Sequence, residues 1–448
     1  SFCASTLLLL FIFIDFVNYG DTMKTIHAVL GANYGDEGKG RTTAYIAAKH
    51  HDKNRAVVRF NGGAQAGHTV GSGKDRHVFS HFGSGSFDYV PTIFTADFVC
   101  SPYLFKKENE QLIRKSVIRP DLYVSPQCLV TTPWDMWLNQ LQECKRGDRR
   151  HGSVGVGFGE TIERSTKYQE FRLTVADLIN PFDRMDKLVK LVSEYLPRRL
   201  ADLSINPHEL DEHLGWMYRN PDQIIDIFDA ECDYFIKRIF VLDEDEALKK
   251  FDTLIFEGAQ GLALDQEAPD FPHVTRSYTG IDNVLRVLDF AGIDDPIHLT
   301  YVTRPYLTRH GAGPLKREVD AEGFKRLFEV VDETNKPHEY QGSLRFAILD
   351  MDDAINRIVK DQFKIPRHRI GNITLMTTCL DQAVSEDGFP AVLDGKSYMF
   401  SNQVFGAEFG SRINAQRVIL CQGEEDWMVN EFKFLGSNRL EVVFGDEE

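Results

Sequence analysis

Short apolar runs that stop at glycine punctuate the first part of the chain. Ile26 to Leu30 is such a run, ending at Gly31, and it predicts a first strand. The stretch from Thr42 to Lys49 predicts a helix. Strand, glycine loop and helix in that order open many nucleotide-binding α/β folds. Ala56-Val57-Val58-Arg59-Phe60 predicts a second strand, and a second glycine loop follows it. Asp97 to Ser101 and Asp121 to Ser125 predict further short strands.

The pattern then changes. From Asp183 to about Lys250 the chain is rich in Leu and charged residues at helical spacing, with Leu188, Leu191, Val192 and Tyr195 on one face. This predicts a helical insertion. Strand character returns at Leu254-Ile255-Phe256, and again over Ile297 to Thr303 and Ile373 to Met376. Strands scattered among helices predict an α/β fold: a large mixed, mostly parallel central sheet with a P-loop-like nucleotide site and helical insertions. No linker, repeat or low-complexity tract divides residues 23–448, so one large domain is expected.

Composition narrows the chemistry. A chain of 448 residues, 42% of them hydrophobic, can bury a large core. The formal charge of −16 argues against a nucleic-acid or anionic-membrane binder, while leaving room for a local basic site that takes a small anion. The seven cysteines include no CxxC pair, which fits a reducing, cytoplasmic setting better than a disulfide framework or a structural zinc site. Leu7 to Ile14 is too short to span a bilayer. It lacks the basic start and a clear cleavage site of a signal peptide, so residues 1–22 read as a non-native or misassigned extension ahead of a start at Met23, with a targeting peptide as the alternative.

The most informative stretch is Gly31-Ala32-Asn33-Tyr34-Gly35-Asp36-Glu37-Gly38-Lys39-Gly40-Arg41. Gly35, Gly38 and Gly40 let the backbone approach a ligand, the following helix presents N–H groups, and Lys39 adds a cation. Together they read as a polyphosphate cradle. The common phosphate loop GxxxxGK[ST] would need Gly at position 33 and Ser or Thr at position 40, where this chain has Asn33 and Gly40. Asp36 inside such a loop calls for a metal ion or a proton-transfer role; its alternative is a helix-capping carboxylate.

Gly35 to Gly40 resembles the signature loop of the adenylosuccinate synthetases. Further matches follow in that family's order. Gly62 to Thr69 is similar to its GG-x-N-AGHT loop, with Gln65 at the Asn position. Phe256 to Gly261 matches FEGAQG, and Thr308 to Pro314 matches TR-x-GAGP. Tyr340 to Arg345 stands where the aspartate-binding loop lies, and Thr378 to Asp381 at the guanine-reading position. The resemblance runs from about 25 to 440 and is nearer the archaeal and phage branch than the common bacterial form.

The resemblance implies a ligase that joins a purine nucleoside monophosphate to L-aspartate. It uses GTP with Mg2+ to phosphorylate the 6-oxygen, which the aspartate amine then displaces. Asp36 is expected as the base at N1 and as a metal ligand together with the Gly67 carbonyl. His68 is expected as the acid and Lys39 as the cation on the transferring phosphoryl group. Nucleotide and phosphate contacts are expected from Gly35, Glu37, Gly38, Gly40, Arg41, Gln65, Ser153, Gln260, Thr275, Arg309 and Asp381; for Arg309 a structural ion pair is the equal alternative. Ser153 belongs to a second glycine-rich loop, Gly152 to Gly159. Aspartate contacts are expected from Gly342, Ser343 and Arg345.

Two departures bear on the substrate. Ser343 replaces an arginine that in the bacterial form helps bind the nucleotide ribose, whereas Asp36 is a carboxylate that the dGMP-using phage enzymes commonly lack. IMP is therefore expected, with dGMP as the alternative and a non-catalytic guanine-nucleotide-binding protein as a rival of another class. At the guanine reader, Thr378 stands where a stacking cation is usual. The family's homodimers carry an arginine into the partner's site, and Arg164 and Arg172 are the candidates here.

Overall fold

The computed structural model describes residues 23–71, 76–147, 151–330, 343–421, 430–434 and 440–444. Its centre is an eleven-stranded sheet. In chain order the strands are β1 (Thr25–Gly31), β2 (Arg55–Arg59), β3 (Thr92–Phe94), β4 (Leu122–Val124), β5 (Phe240–Val241) and β6 (Thr253–Glu257). They continue with β7 (Ile297–Thr303), β8 (Ile370–Thr377), β9 (Arg417–Leu420), β10 (Asn430–Phe434) and β11 (Leu440–Phe444). Across the sheet the order is β11-β10-β9-β8-β7-β1-β6-β2-β3-β4-β5. The nine from β9 to β5 are all parallel, and β10 and β11 close one edge antiparallel.

The apolar runs become buried strands because helices cover both faces, which favours continuous Val, Ile and Leu over alternation. Every residue of β6 is buried, including Glu257 at its end. β1 sits in the middle of the sheet. From it the chain builds β2 to β5 on one side, returns through β6, and then builds β7 to β9 on the other. The loops leaving β1 and β7 therefore flank the switch point where such sheets bind ligands. A second, smaller sheet carries Tyr306–Arg309, Glu318–Val319, Arg345–Asp350, Phe389–Leu393 and Lys396–Phe400.

Several sequence expectations change in detail. The helix expected from Thr42 begins at Lys39 and is called α1 (Lys39–Lys49). Of Asp97 to Ser101 only Val99–Cys100 is a strand, and it lies outside the central sheet; the central strand in that region is Thr92–Phe94. The insertion is helical as expected, through Pro181–Lys190, Leu196–Asp202 and Pro221–Ile236. It also supplies the sheet's far edge, Phe240–Val241, which is too short for a periodic signal. Residues 1–22, with the Leu7 to Ile14 run, lie outside the described residues. No helix among the described residues is long and apolar enough to cross a membrane.

Candidate active site

The site gathers loops from the C-terminal ends of β1, β2, β6, β7 and β8. The first follows β1. Gly35 and Gly38 hold φ of 93° and 87°, a region open to glycine, and Asp36 holds φ 55°. Gly38 is the residue before α1, and no side chain caps the helix. Asp36 is therefore not a capping carboxylate. Its Oδ2 instead lies 3.1 Å from Nε2 of His310, which follows the second-sheet strand Tyr306–Arg309. Burial works against its charge, but His310, Arg304 and Lys39 outweigh that and hold Asp36 below the usual carboxylate range.

Glu37 turns inward. It is buried, accepts the Asn33 N–H at 2.6 Å and lies 4.0 Å from Lys39 Nζ. Burial pushes its pKa up to about 7. Lys39, the first residue of α1, is also buried, and burial lowers its pKa against the pull of Glu37, Asp36 and Glu257. Arg357 braces the loop from behind, donating to the Ala32 carbonyl at 3.2 Å and to Asn33 Oδ1 at 2.6 Å.

Gly40 explains the departure from the common phosphate loop. A Cβ there would meet His68 Cβ at 2.9 Å and Ser84 Oγ at 3.0 Å, so a hydroxyl-bearing residue has no room. The glycine lets α1 abut the strand that carries His68. His68 is buried, with Nδ1 2.7 Å from Glu257 Oε1. Glu257 also takes the Ser84 hydroxyl and N–H and lies 3.8 Å from Arg59. Burial opposes its charge, and His68, Arg59 and Ser84 together keep it ionised. By hydrogen-bond geometry neither ring nitrogen of His68 has a partner among the described residues, but Nδ1 lies against the Glu257 carboxylate. Burial lowers the His68 pKa, with Glu257 acting against it.

On one side of Asp36 and His310 lies a cavity of about 290 Å3. Gln65, Ser153, Gln260 and Thr275 line it together with His310 and Arg276. Neither polar atom of the Gln65 amide and not the Gln260 carbonyl oxygen finds a hydrogen-bond partner among the described residues, although all three atoms are buried. Such atoms cost stability unless a ligand or water satisfies them. Ser153 accepts from Asn139 at 2.8 Å, and its loop is tethered to the helix Pro133–Arg146 by Gln140 and Glu143.

On the other side, Thr378 Oγ1 donates to the Glu37 carbonyl at 2.9 Å, and a Cβ on Gly38 would meet Thr378 Cγ2 at 2.8 Å. Asp381 follows on an exposed turn. Arg41 lies on α1, partly buried. Gly67 is exposed beside His68.

The arginines depart furthest from expectation. Arg309 is 1% exposed, and its guanidinium donates to Asp270 and to the carbonyls of Pro314 and His273. Of its two readings the geometry favours the structural one. Arg345 donates to Glu318 and, at 2.7 Å each, to the carbonyls of Gly311 and Gly313. To take an aspartate carboxylate it must exchange Glu318. Ser343 is exposed, and Gly342 lies outside the described residues. Arg164 cannot cross to a partner subunit: it is buried against Asp135, Val130 and Phe171, whereas Arg172 is exposed. The sequence reading gave no role to Glu257, Arg304 or His310. A glutamate ending a fully apolar strand and a histidine inside a glycine-rich loop were the signals available.

The curated adenylosuccinate synthetase of Pseudoalteromonas atlantica is 32% identical over 304 residues, 66% of this chain and 65% of that protein. The chain thus spans just under two thirds of that relative's length. The enzyme of Clostridium beijerinckii is 31% identical over 327 residues, 70% of this chain and 68% of its own. Two solved structures share the fold. The fully ligated adenylosuccinate synthetase of Plasmodium falciparum has TM-score 0.65 and 19% identity, covering 89% of this chain and 98% of its own. The succinoaminodeoxyadenylate synthetase of cyanophage S-2L, bound to dGMP and dATP, has TM-score 0.55 and 14% identity, covering 90% and 94%. The adenylosuccinate synthetase family model matches residues 28–341, so Ser343, Arg345 and Asp381 fall beyond the matched span. On that match the chain belongs to the adenylosuccinate synthetase family.

Proposed function

We propose that this chain is a GTP-dependent ligase that condenses IMP with L-aspartate to adenylosuccinate. One observation carries the reading. Buried amide atoms without partners among the described residues, both polar atoms of the Gln65 amide and the oxygen of Gln260, face a nucleotide-sized cavity whose wall includes His310, and His310 touches Asp36 on the phosphate loop. The order in space is then acceptor nucleotide, Asp36, phosphate cradle and donor base beside Thr378 and Asp381.

Asp36 takes the N1 proton of the purine, and its depressed pKa keeps it ionised and ready to do so. The 6-oxygen becomes an anion and attacks the γ-phosphate, breaking its bond to the β-phosphate oxygen and releasing GDP. Lys39 and the N–H groups at the start of α1 offset the charge on the transferring group. His68 serves at the leaving oxygen through Nε2, with Glu257 fixing its ring from the other side. The aspartate amine then attacks C6 and expels phosphate. Among the described residues no group of three or more His, Cys, Asp or Glu is gathered that could hold a metal. The oxygen donors at the loop rim, the Asp36 carboxylate and the Gly67 carbonyl, suit Mg2+ shared with nucleotide phosphates. When bound, Mg2+ supplies charge neutralisation on those phosphates.

Gln65, Ser153, Gln260 and Thr275 bind the monophosphate substrate, and Asp381 accepts from the guanine edge of GTP. Arg345 binds the aspartate carboxylate after releasing Glu318, beside Ser343 and Gly342. The dGMP reaction is the second reading, favoured by Ser343, which offers no guanidinium to a ribose hydroxyl. We further propose one catalytic unit over residues 23–448, a cytoplasmic homodimer with Arg172 at the partner's site, and no nucleic-acid or membrane partner.

The test is phosphate release by the full chain with Mg2+, GTP and aspartate, given IMP or dGMP, with ATP as the alternative donor and product masses recorded. Adenylosuccinate from IMP supports the proposal. Product from dGMP alone moves the chain to the second reading. Tight nucleotide binding without either product makes it a binding protein.

A further inference from the structure

We infer that His310 is a positioning residue for the catalytic carboxylate: it fixes Asp36 from the end of a second-sheet strand, so that one carboxylate oxygen stays free for the substrate proton. The inference rests on the ligase reading above and goes beyond it, because His310 occupies the variable place in the TR-x-GAGP segment.

The contact runs from the loop leaving β1 to the end of Tyr306–Arg309, a strand of the second sheet that follows β7. Asp36 belongs to the loop after β1, and His310 to the segment after β7. Asp36 is held at φ 55°, a left-handed backbone that the loop alone does not favour for a non-glycine residue. His310 Nε2 reaches Oδ2 at 3.1 Å. With Oδ2 so held, Oδ1 is the oxygen left to take the N1 proton. Each carboxylate oxygen has two lone pairs, so a metal contact is not displaced.

The surroundings fix His310 in turn. On one flank, buried Arg309 ties its loop to Asp270, Pro314 and His273. A Cβ on Gly313 would fall 2.0 Å from the Arg309 guanidinium, so only glycine lets the loop close over it. On the other flank Arg345 donates to the Gly311 and Gly313 carbonyls. Gly311 holds φ 76°, and a Cβ there would strike the His151 carbonyl at 2.4 Å. Two arginines and two glycines thus anchor one imidazole between the cavity wall and Asp36. A loop that merely closed the cavity would not need a donor aimed at the phosphate loop.

The experiment compares the full chain with His310→Leu and His310→Gln in the IMP, GTP and aspartate assay. The leucine fills the volume without a donor, and the glutamine amide restores an N–H at the reach of Nε2. His310→Leu is expected to lower kcat about 10- to 100-fold, with KM for IMP and GTP within about twofold of the parent. His310→Gln should recover most of that loss. Calorimetric binding of IMP to each variant checks that the cavity persists. A His310→Leu enzyme with the parent's kcat overturns the inference, as does a loss that glutamine leaves unrepaired or that falls on KM. A parent chain without ligase turnover overturns the ligase reading itself, and this inference with it.

Discussion

Nδ1 of His68 lies 2.7 Å from Oε1 of Glu257, with both side chains buried where the second glycine loop meets the end of β6. In the proposed mechanism this contact orients the ring and leaves Nε2 for the substrate. Glu257 is also a counter-charge to the buried Arg59 guanidinium, 3.8 Å away. Glu257→Gln should therefore act twice. It should lower kcat about tenfold or more by freeing the His68 ring. It should also destabilise the fold by about 3 kcal/mol, because the buried Arg59 loses its adjacent carboxylate and keeps only the more distant Glu108. Steady-state kinetics and urea unfolding separate the two effects. Unchanged stability would mean that Arg59 is held by other groups.

Asp36→Asn should reduce kcat by about 10^3-fold while preserving nucleotide affinity, since an amide keeps the size and loses the base. Residual turnover near that of the parent would remove Asp36 from the chemistry.

Gly40→Ser would restore the phosphate-loop pattern common elsewhere, and here it should harm. Its Cβ meets His68 and Ser84 at 2.9 and 3.0 Å. Activity should fall at least about tenfold, with a stability loss of about 1–3 kcal/mol from overpacking. An active, stable Gly40→Ser enzyme would refute the packing argument.

Much of this was readable in the chain. β1, β2, β4, β6, β7 and β8 announced themselves because strands covered on both faces carry unbroken apolar runs. The phosphate loop did so because glycine, lysine and acidic residues at that spacing have few structural uses. The second sheet did not: Tyr306–Arg309 is four residues long, and Phe389–Leu393 holds a proline, so neither shows a period. Partnerships were also hidden. That Glu257 serves His68 depends on residues 189 positions apart in the chain meeting at one strand end, and no local pattern encodes it. Arg164 reads as an arginine that could reach a partner's site because the sequence cannot show Asp135, the buried carboxylate that meets it; nor can it show that Glu318 holds Arg345.

Gln65→Ala and Gln260→Ala should each raise KM for the monophosphate about tenfold, the cost of one hydrogen bond to a charged group. KM for GTP should barely move. An equal rise for both nucleotides would place these amides outside the acceptor cavity.

At the opposite end of β1, His27 Nε2 sits 3.0 Å from His50 Nε2, with the His298 ring centroid 5.1 Å away. Burial first, then His298 and His50, push the His27 pKa down to about 3. The folded pKa lies below the unfolded value of 6.5, so protonation favours unfolding. Its contribution is complete above pH 6.5 and declines as pH falls from there towards 3. The slope is at most ~1.4 kcal/mol per pH unit. His27→Gln should flatten the fall in urea midpoint between neutral and mildly acidic pH relative to the parent. Identical slopes would show that His27 titrates alike in both states.

The most direct test of the central claim follows one oxygen. IMP labelled with 18O at the 6-position is turned over with GTP, Mg2+ and aspartate, and the released phosphate and the nucleotide product are weighed by mass spectrometry. The account predicts that the label leaves the purine and appears in phosphate, one atom for each adenylosuccinate formed. Phosphate without label, or label retained on the purine, would contradict a 6-phosphoryl intermediate and with it the assignment of Asp36, Lys39 and His68 to that step.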